Sequence, residues 1–372
     1  MKYYIIAGEA SGDLHGANLV EAIKAQDAEA QFRGFGGDKM KAEGVTLFRH
    51  YKETAYMGFV EVMKHLRKIL KNIDQCKKDI VDYQPDAVIL VDYPGFNLRI
   101  APFAKQNGFK VFYYISPQLW AWKSSRVEII KKFVDHMFVI LPFEKAWYQQ
   151  HDYQVTYVGH PLLDEISNKV KNSLFYKVNN LSAEPIIGVL PGSRKQEIAV
   201  KLPVMLSMAK YYPKFQFVVA CAPGIEKSYY EQFVREQNVF YLFNQTYDIL
   251  QNSEAAIVTS GTATLETALF NVPQIVCYKG SLISYLIARQ LIKVKYISLV
   301  NLIANKEVVP ELIQLKFNEK NLKAHFERLV YNDEYRTTMR DNYQQLRDLL
   351  GGEGASELVA ASIIQQLQVS NP

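Results

Sequence analysis

Two short segments carry the residue types that handle phosphates. Residues Ile257 to Glu266 read I-V-T-S-G-T-A-T-L-E, an apolar strand passing through small residues into a helix. The first N–H groups of a helix lack intrahelical acceptors and carry partial positive charge, so Ser260, Gly261 and Thr262 form a candidate seat for a diphosphate. Glu266, one turn after Thr262, is placed to reach ribose hydroxyls. The same letters also fit an ordinary strand-to-helix turn with Thr262 as its cap, and the neighbouring motifs decide between the two. Leu190 to Arg194 reads L-P-G-S-R after another apolar strand. Its Gly192 and Ser193 turn delivers Arg194, whose guanidinium is able to clamp a phosphate through two parallel hydrogen bonds.

Two further segments offer proton chemistry. Val91 to Asn97 reads V-D-Y-P-G-F-N, with Asp92 at the end of a strongly apolar strand just before a proline turn. Such a carboxylate serves either as a cap or as a base taking a proton from an attacking hydroxyl, with Asn97 orienting it. After the first strand, Gly8, Gly12 and Gly16 recur every four residues. This matches neither the dinucleotide G-x-G-x-x-G nor the P-loop pattern, which weakens dehydrogenase and kinase readings. Gly8 and Gly12 allow either close backbone approach to a substrate or tight helix-on-strand packing. Glu9, Ser11, Asp13 and His15 supply polar groups at the head of the following helix. The seven histidines are scattered with no zinc motif, and no G-x-S-x-G elbow is present, so neither zinc hydrolysis nor acyl-serine chemistry is supported.

The elements that must position these residues follow from composition and pattern. With 372 residues, 49% apolar and 22% charged, the chain suits two globular domains. Three widely spaced cysteines argue against a disulfide framework and for a reducing compartment. No run has the form of a signal peptide or a membrane span. A net charge of +5 favours anionic ligands without pointing to nucleic acid. Buried parallel strands are expected at 2–7, 87–91, 111–115 and 137–141, then at 186–190, 215–221, 239–243, 255–258 and 274–278, alternating with helical patterns. Two Rossmann-like α/β units result, joined by the polar stretch 167–184. Ligands of such sheets sit at the carboxyl ends of the strands, so the singled-out turns are expected to face one cleft.

Residues 55–78 place Phe59, Val62, Met63, Leu66, Leu70 and Ile73 at helical spacing, with Lys64, Arg67, Lys68 and Lys71 on another face. That pattern fits a helix on an anionic bilayer or a core-facing helix with a solvated basic side. Y-M-G-F at 56–59 would offer an apolar entry for an acyl chain, and 281–300 is a second apolar stretch.

With these residues in hand the chain closely resembles the lipid-A-disaccharide synthase family, inverting glycosyltransferases of Gram-negative outer-membrane lipid assembly. The carrying segments are A-G-E-A-S-G-D at 7–13, Y-M-G-F-V-E-V at 56–62, V-D-Y-P-G-F-N at 91–97, Y-I-S-P-Q-L-W-A-W-K at 114–123, L-P-F-E at 141–144 and Y-V-G-H-P at 157–161. L-P-G-S-R-K-Q-E-I at 190–198, T-S-G-T-A-T-L-E at 259–266 and N-L-I-A-N-K-E-V-V-P-E-L-I-Q at 301–314 complete the series. The resemblance implies a GT-B fold, two Rossmann-like domains facing a central cleft. Residues 1–170 would form the acceptor-side, membrane-facing domain and 185–350 the UDP-sugar domain, with a last helix at about 356–369 free to pack back on the first. It implies transfer of 2,3-diacylglucosamine from its UDP derivative to 2,3-diacylglucosamine 1-phosphate, giving a β-1,6-linked disaccharide 1-phosphate and UDP. In that scheme Asp92 is the general base and Arg194 an essential arginine near the phosphates. Ser260, Gly261, Thr262 and Glu266 hold diphosphate and ribose, and Asn301, Glu311 and Gln314 complete the donor pocket. No metal or other cofactor is implied. A peripheral place on the anionic cytoplasmic face of the inner membrane is, and so is a homodimer exchanging C-terminal elements. Competing readings are an enzyme like UDP-N-acetylglucosamine 2-epimerase, another GT-B transferase, or a nucleotide-sugar or lipid carrier.

Overall fold

Apolar runs of five to seven residues form the central strands of two parallel sheets in the computed structural model, which describes residues 1–53, 66–121, 124–167, 169–233, 236–280 and 294–370. The chain divides into two units, Met1–Asp164 with Gly352–Pro372, and Glu165–Gly351. The polar stretch 167–184 is therefore part of the second unit, where Phe175 is fully buried in the core. The calls on 56–62, on the first part of the basic amphipathic stretch, on Trp122 and Lys123, and on 281–293 lie outside the described residues.

In the first unit β1 (Lys2–Ala7), β2 (Gln31–Gly36), β3 (Thr46–His50), β4 (Ala87–Val91), β5 (Lys110–Tyr114), β6 (His136–Val139) and β7 (Thr156–Tyr157) form a parallel sheet. Their order is β3-β2-β1-β4-β5-β6-β7. The order reverses between β1 and β4, so the segments after Ala7 and after Val91 leave the sheet in opposite directions and open a crevice between them. Side chains alternate across the sheet. Tyr3, Ile5 and Ala7 pack with Leu19, Val20 and Ile23 of the helix Ala10–Gln26, and with Val359, Ile363 and Leu367 of the last helix, Ala355–Ser370. Tyr4 and Ile6 pack on the other face with Ile73, Cys76 and Ile80. The last helix belongs to the first unit, its start tied by the Asp164 carboxylate, which accepts from Gly354 N–H at 2.6 Å and Ala355 N–H at 3.2 Å.

The described part of the basic amphipathic stretch, the helix Leu66–Tyr83, faces this core. Its Arg67, Lys68 and Lys71 lie on the exposed side. Among the described residues no helix is long and apolar enough to cross a membrane.

In the second unit β8 (Ile186–Leu190), β9 (Gln216–Cys221), β10 (Val239–Phe243), β11 (Ser253–Thr259), β12 (Gln274–Tyr278) and β13 (Glu311–Ile313) are ordered β10-β9-β8-β11-β12-β13, again parallel. Here the order reverses between β8 and β11. The turns L-P-G-S-R and S-G-T therefore flank a switch point, just as the A-G-E and V-D-Y turns flank one in the first unit.

Asp13 belongs to the scaffold. Its buried carboxylate accepts from the N–H groups of Gly37 at 2.6 Å, Lys39 at 3.1 Å and Met40 at 3.1 Å, capping the short helix Asp38–Ala42. Asp13→Ala strands these donors and is expected to lower unfolding free energy by about 2–4 kcal/mol. A urea midpoint unchanged from wild type would show that the cap contributes nothing.

Candidate active-site residues of the two units

At the second unit's switch point a cavity of about 370 Å³ is lined by Gly192, Ser193, Arg194, Ser260, Gly261, Thr262 and Glu266, together with Glu197, Thr246 and Thr259. Two turns must bend in ways that side chains resist. Gly192 has φ +105° and Gly261 φ +145°, both in the region that only glycine enters at little cost. Gly261 caps the helix Thr262–Leu269, whose geometry leaves the N–H groups of Thr262 and Ala263 without intrahelical acceptors at the cavity wall. Ser260 is less available than its position in the motif suggests. Its N–H donates to the Cys277 carbonyl at 3.2 Å and its hydroxyl to the Ile297 carbonyl at 2.8 Å. It holds the turn in place while the glycine and threonine face the cavity.

Arg194 stands at the head of the helix Lys195–Leu206, 54% exposed, and donates to Glu197 Oε1 at 2.9 Å. Glu197 Oε2 also accepts from Lys201 at 3.3 Å, and Lys201, only 3% exposed, donates to Thr259 Oγ1 as well. Glu266 lies at the same cavity, half-buried. Burial, with the nearby Glu165 carboxylate second, pushes its carboxyl up to about 7.

Asn301, Glu311 and Gln314 do not line this cavity. The Glu311 carboxylate accepts from Ile297 N–H, Ser298 N–H, the Ser298 hydroxyl and Asn301 Nδ2. Asn301 is fully buried, accepting from Val308 and Val309 N–H and donating to the Val309 carbonyl. This network fixes residues 297–301, and through Ile297 it braces Ser260 from behind. Gln314 differs, with Nε2 buried and without a hydrogen-bond partner among the described residues, next to Gly280.

In the first unit the chain bends sharply after β4, with Asp92 at φ +45° and Tyr93 at φ +48°. Two consecutive left-handed residues cost roughly 1–2 kcal/mol each. The bend is held by three hydrogen bonds to the Asp92 backbone: its N–H donates to Tyr114 O at 3.0 Å, and its carbonyl accepts from Tyr113 Oη at 2.6 Å and Asn97 Nδ2 at 2.7 Å. Asn97 thus secures the Asp92 backbone instead of orienting its carboxylate. Burial first, and then the Glu9 carboxylate, raise the Asp92 carboxyl to about 7, against a lowering bond from Tyr93 N–H.

The other first-unit candidates separate. Glu9 stays beside Asp92 at the switch point and Ser11 is exposed. A side chain at Gly8 would collide with the Tyr93 ring at 2.3 Å, and Gly12 is buried against Ala7. His15 is buried, its Nδ1 without a partner among the described residues. Burial, then the Lys39 charge, lowers its imidazole to about 4, so it is neutral at pH 7. The loop after β5 is also pinned, Trp120 Nε1 donating to Glu144 Oε1 at 3.2 Å and Ser116 Oγ lying 2.8 Å from Tyr148 Oη.

A family model described as Lipid-A-disaccharide synthetase matches residues 3–364. The chain is 41% identical to the lipid-A-disaccharide synthase of Syntrophus aciditrophicus (strain SB), over 99% of this chain and 98% of that one. It is 37% identical to that of Trichlorobacter lovleyi, over 98% and 97%. Among solved structures it is similar in fold to a UDP-GlcNAc 2-epimerase from Neisseria meningitidis (TM-score 0.67, 13% identity, 98% of this chain and 100% of that one). A glycotransferase of kitacinnamycin is also similar (TM-score 0.68, 10% identity, 98% and 99%). At such identities these two likenesses show the fold alone, which is GT-B.

If Asp92 acts as a base, ionisation near pH 7 sets the acid limb of kcat/KM. Glu9→Gln removes a negative charge that favours the protonated form, so Asp92 then ionises at lower pH and the limb shifts to lower pH. A limb that stays in place, or moves up, separates Glu9 from Asp92.

Proposed function

The chain belongs to the lipid-A-disaccharide synthase family, and we propose that its two switch points divide the reaction between them, the first unit activating the acceptor and the second holding the leaving group. The enzyme is an inverting, UDP-sugar-dependent glycosyltransferase. It joins the diacylglucosamine of the UDP donor to diacylglucosamine 1-phosphate through a β-1,6 linkage and releases UDP.

In the proposed mechanism the Asp92 carboxylate takes the proton of the acceptor's 6-hydroxyl as that oxygen attacks the donor's anomeric carbon. The bond from that carbon to the diphosphate breaks on the opposite face, which inverts the configuration. Negative charge then develops on the departing UDP. The N–H groups of Gly261, Thr262 and Ala263 and the guanidinium of Arg194 stabilise it, and Glu266 takes the ribose hydroxyls. Donors aimed in advance at developing charge are usually the largest catalytic contribution, so no metal is needed. The observation that carries this reading is the cavity of about 370 Å³ at the β8/β11 reversal, where Arg194, Gly261, Thr262 and Glu266 meet.

We further propose that the protein works as a homodimer bound peripherally to the anionic cytoplasmic face of the inner membrane. The exposed Arg67, Lys68 and Lys71 support the membrane part, and the family resemblance alone supports the dimer. Flotation with anionic vesicles and light scattering are the direct tests.

Incubation of the purified protein with UDP-diacylglucosamine and diacylglucosamine 1-phosphate in EDTA is expected to yield UDP and a tetra-acyl disaccharide 1-phosphate by mass spectrometry. Product that disappears with EDTA and returns with a divalent cation would overturn metal independence. Unchanged lipid substrates alongside turnover of UDP-N-acetylglucosamine would favour the epimerase reading instead.

A further inference from the structure

Lys201 is a buried cation of the second unit that the mechanism above leaves unused. It projects from the helix Lys195–Leu206 with a side chain 3% exposed. Its ammonium reaches two groups: Glu197 Oε2 at 3.3 Å, one turn earlier, and Thr259 Oγ1, in the last residue of β11. Both lie beneath the phosphate-facing turns. A side-chain carbon placed on Gly192 would come within 2.7 Å of Glu197 Oε2 and 3.5 Å of Lys201 Nζ, and Thr259 leads directly into Ser260 and Gly261.

Glu197 thereby bridges two cations, the exposed Arg194 through Oε1 and the buried Lys201 through Oε2. A diphosphate entering the cavity competes with Glu197 for the guanidinium. Were Glu197 held by Arg194 alone, drawing the guanidinium away would leave a carboxylate without a counter-ion beside an anion, which is costly in a partly dry site. With Lys201 beneath it the carboxylate keeps a partner whichever way Arg194 turns.

We propose that Lys201 is a positioning residue of the diphosphate seat: by holding the Glu197 carboxylate and the end of β11, it frees Arg194 to exchange Glu197 for the donor's diphosphate. The three side chains carry one net positive charge while Lys201 is present and none once it is replaced by an apolar residue. Burial lowers the lysine's proton affinity, whereas Glu197 works in the opposite direction. A diphosphate arriving above adds negative charge and favours the ammonium further. The role is carried by a local arrangement, since Arg194, Glu197 and Lys201 fall at i, i+3 and i+7 along one helical face.

This inference rests on the reading of the cavity as the donor's diphosphate site, and calorimetric titration of UDP into the full-length protein tests both. Lys201→Met is expected to raise the UDP dissociation constant and the KM for the UDP donor by roughly tenfold or more, the scale of coupling between contacting charges, with the acceptor KM unchanged. Adding Glu197→Gln to that variant removes the unpaired carboxylate and should recover most of the loss, a rescue that simple filling of space by Lys201 does not produce. Wild-type-like UDP binding by Lys201→Met, or a loss that Glu197→Gln fails to restore, overturns the inference while leaving the diphosphate site intact. Wild-type protein that does not bind UDP overturns both. If Lys201→Met does not fold, Glu197→Gln alone decides, because releasing Arg194 should leave UDP binding as tight as in the wild type or tighter, and weaker binding refutes the exchange.

Discussion

Between β8 and β11 the chain leaves a parallel sheet in opposite directions, and a cavity of about 370 Å³ opens between the two turns. Backbone of the two turns forms part of its wall, beside the side chains of Arg194, Glu197, Thr246 and Glu266. Gly192 and Gly261 occupy conformations closed to other residues, and this brings the start of the helix Thr262–Leu269 to the edge of the cavity with N–H groups facing outward. Residues behind the turn support that exposure. Ser260 ties the turn to Ile297, Glu311 and Asn301 fix the segment carrying Ile297, and Lys201 holds the far end of β11 through Thr259. An anion is the natural occupant of such a gap because it accepts the stranded hydrogen bonds and meets the positive end of the helix dipole.

The first unit uses the same topology for the opposite purpose. At its β1/β4 reversal the wall is acidic, with the Glu9 carboxylate close enough to raise that of Asp92. The left-handed bend at Asp92 and Tyr93 is kept by hydrogen bonds to backbone atoms, so that among the described residues the one hydrogen bond to the Asp92 carboxylate is that from Tyr93 N–H. Desolvation together with a like charge moves that group towards the pH at which a base of moderate strength is most useful. In the proposed mechanism one sheet reversal supplies the hydrogen-bond donors and the other the base for displacement of diphosphate by a hydroxyl.

The central strands were legible because burial on both faces makes them continuous apolar runs, as in Ala87–Val91 and Ile186–Leu190. β2 and β3 were not. Q-F-R-G-F-G mixes charge and glycine with its apolar residues, and T-L-F-R-H is a half-exposed edge strand whose pairing comes from its neighbour. β7 and β13 are too short to leave a pattern. In the site, the placing of the glycine turns and Arg194 at one cavity could be read because each follows directly on its strand. The tasks of Asn97, Asn301, Glu311 and Lys201 could not, since each depends on a partner brought in by the fold. A lysine in a helix reads as surface, and its contact with Thr259, 58 residues on, is made only in the fold. His15 misled for the same reason, its polar letter lying on the packed side of its helix.

The central claim is that proton abstraction and leaving-group binding reside in different units, and one paired measurement tests it most directly. Turnover and UDP affinity are determined together for Asp92→Asn and Arg194→Ala. The account predicts that Asp92→Asn binds UDP as the wild type does while losing about 10²–10⁴-fold in turnover, the range typical of a general base, and that Arg194→Ala binds UDP more weakly. Near-normal turnover in Asp92→Asn, or equal loss of UDP affinity in both variants, would contradict it.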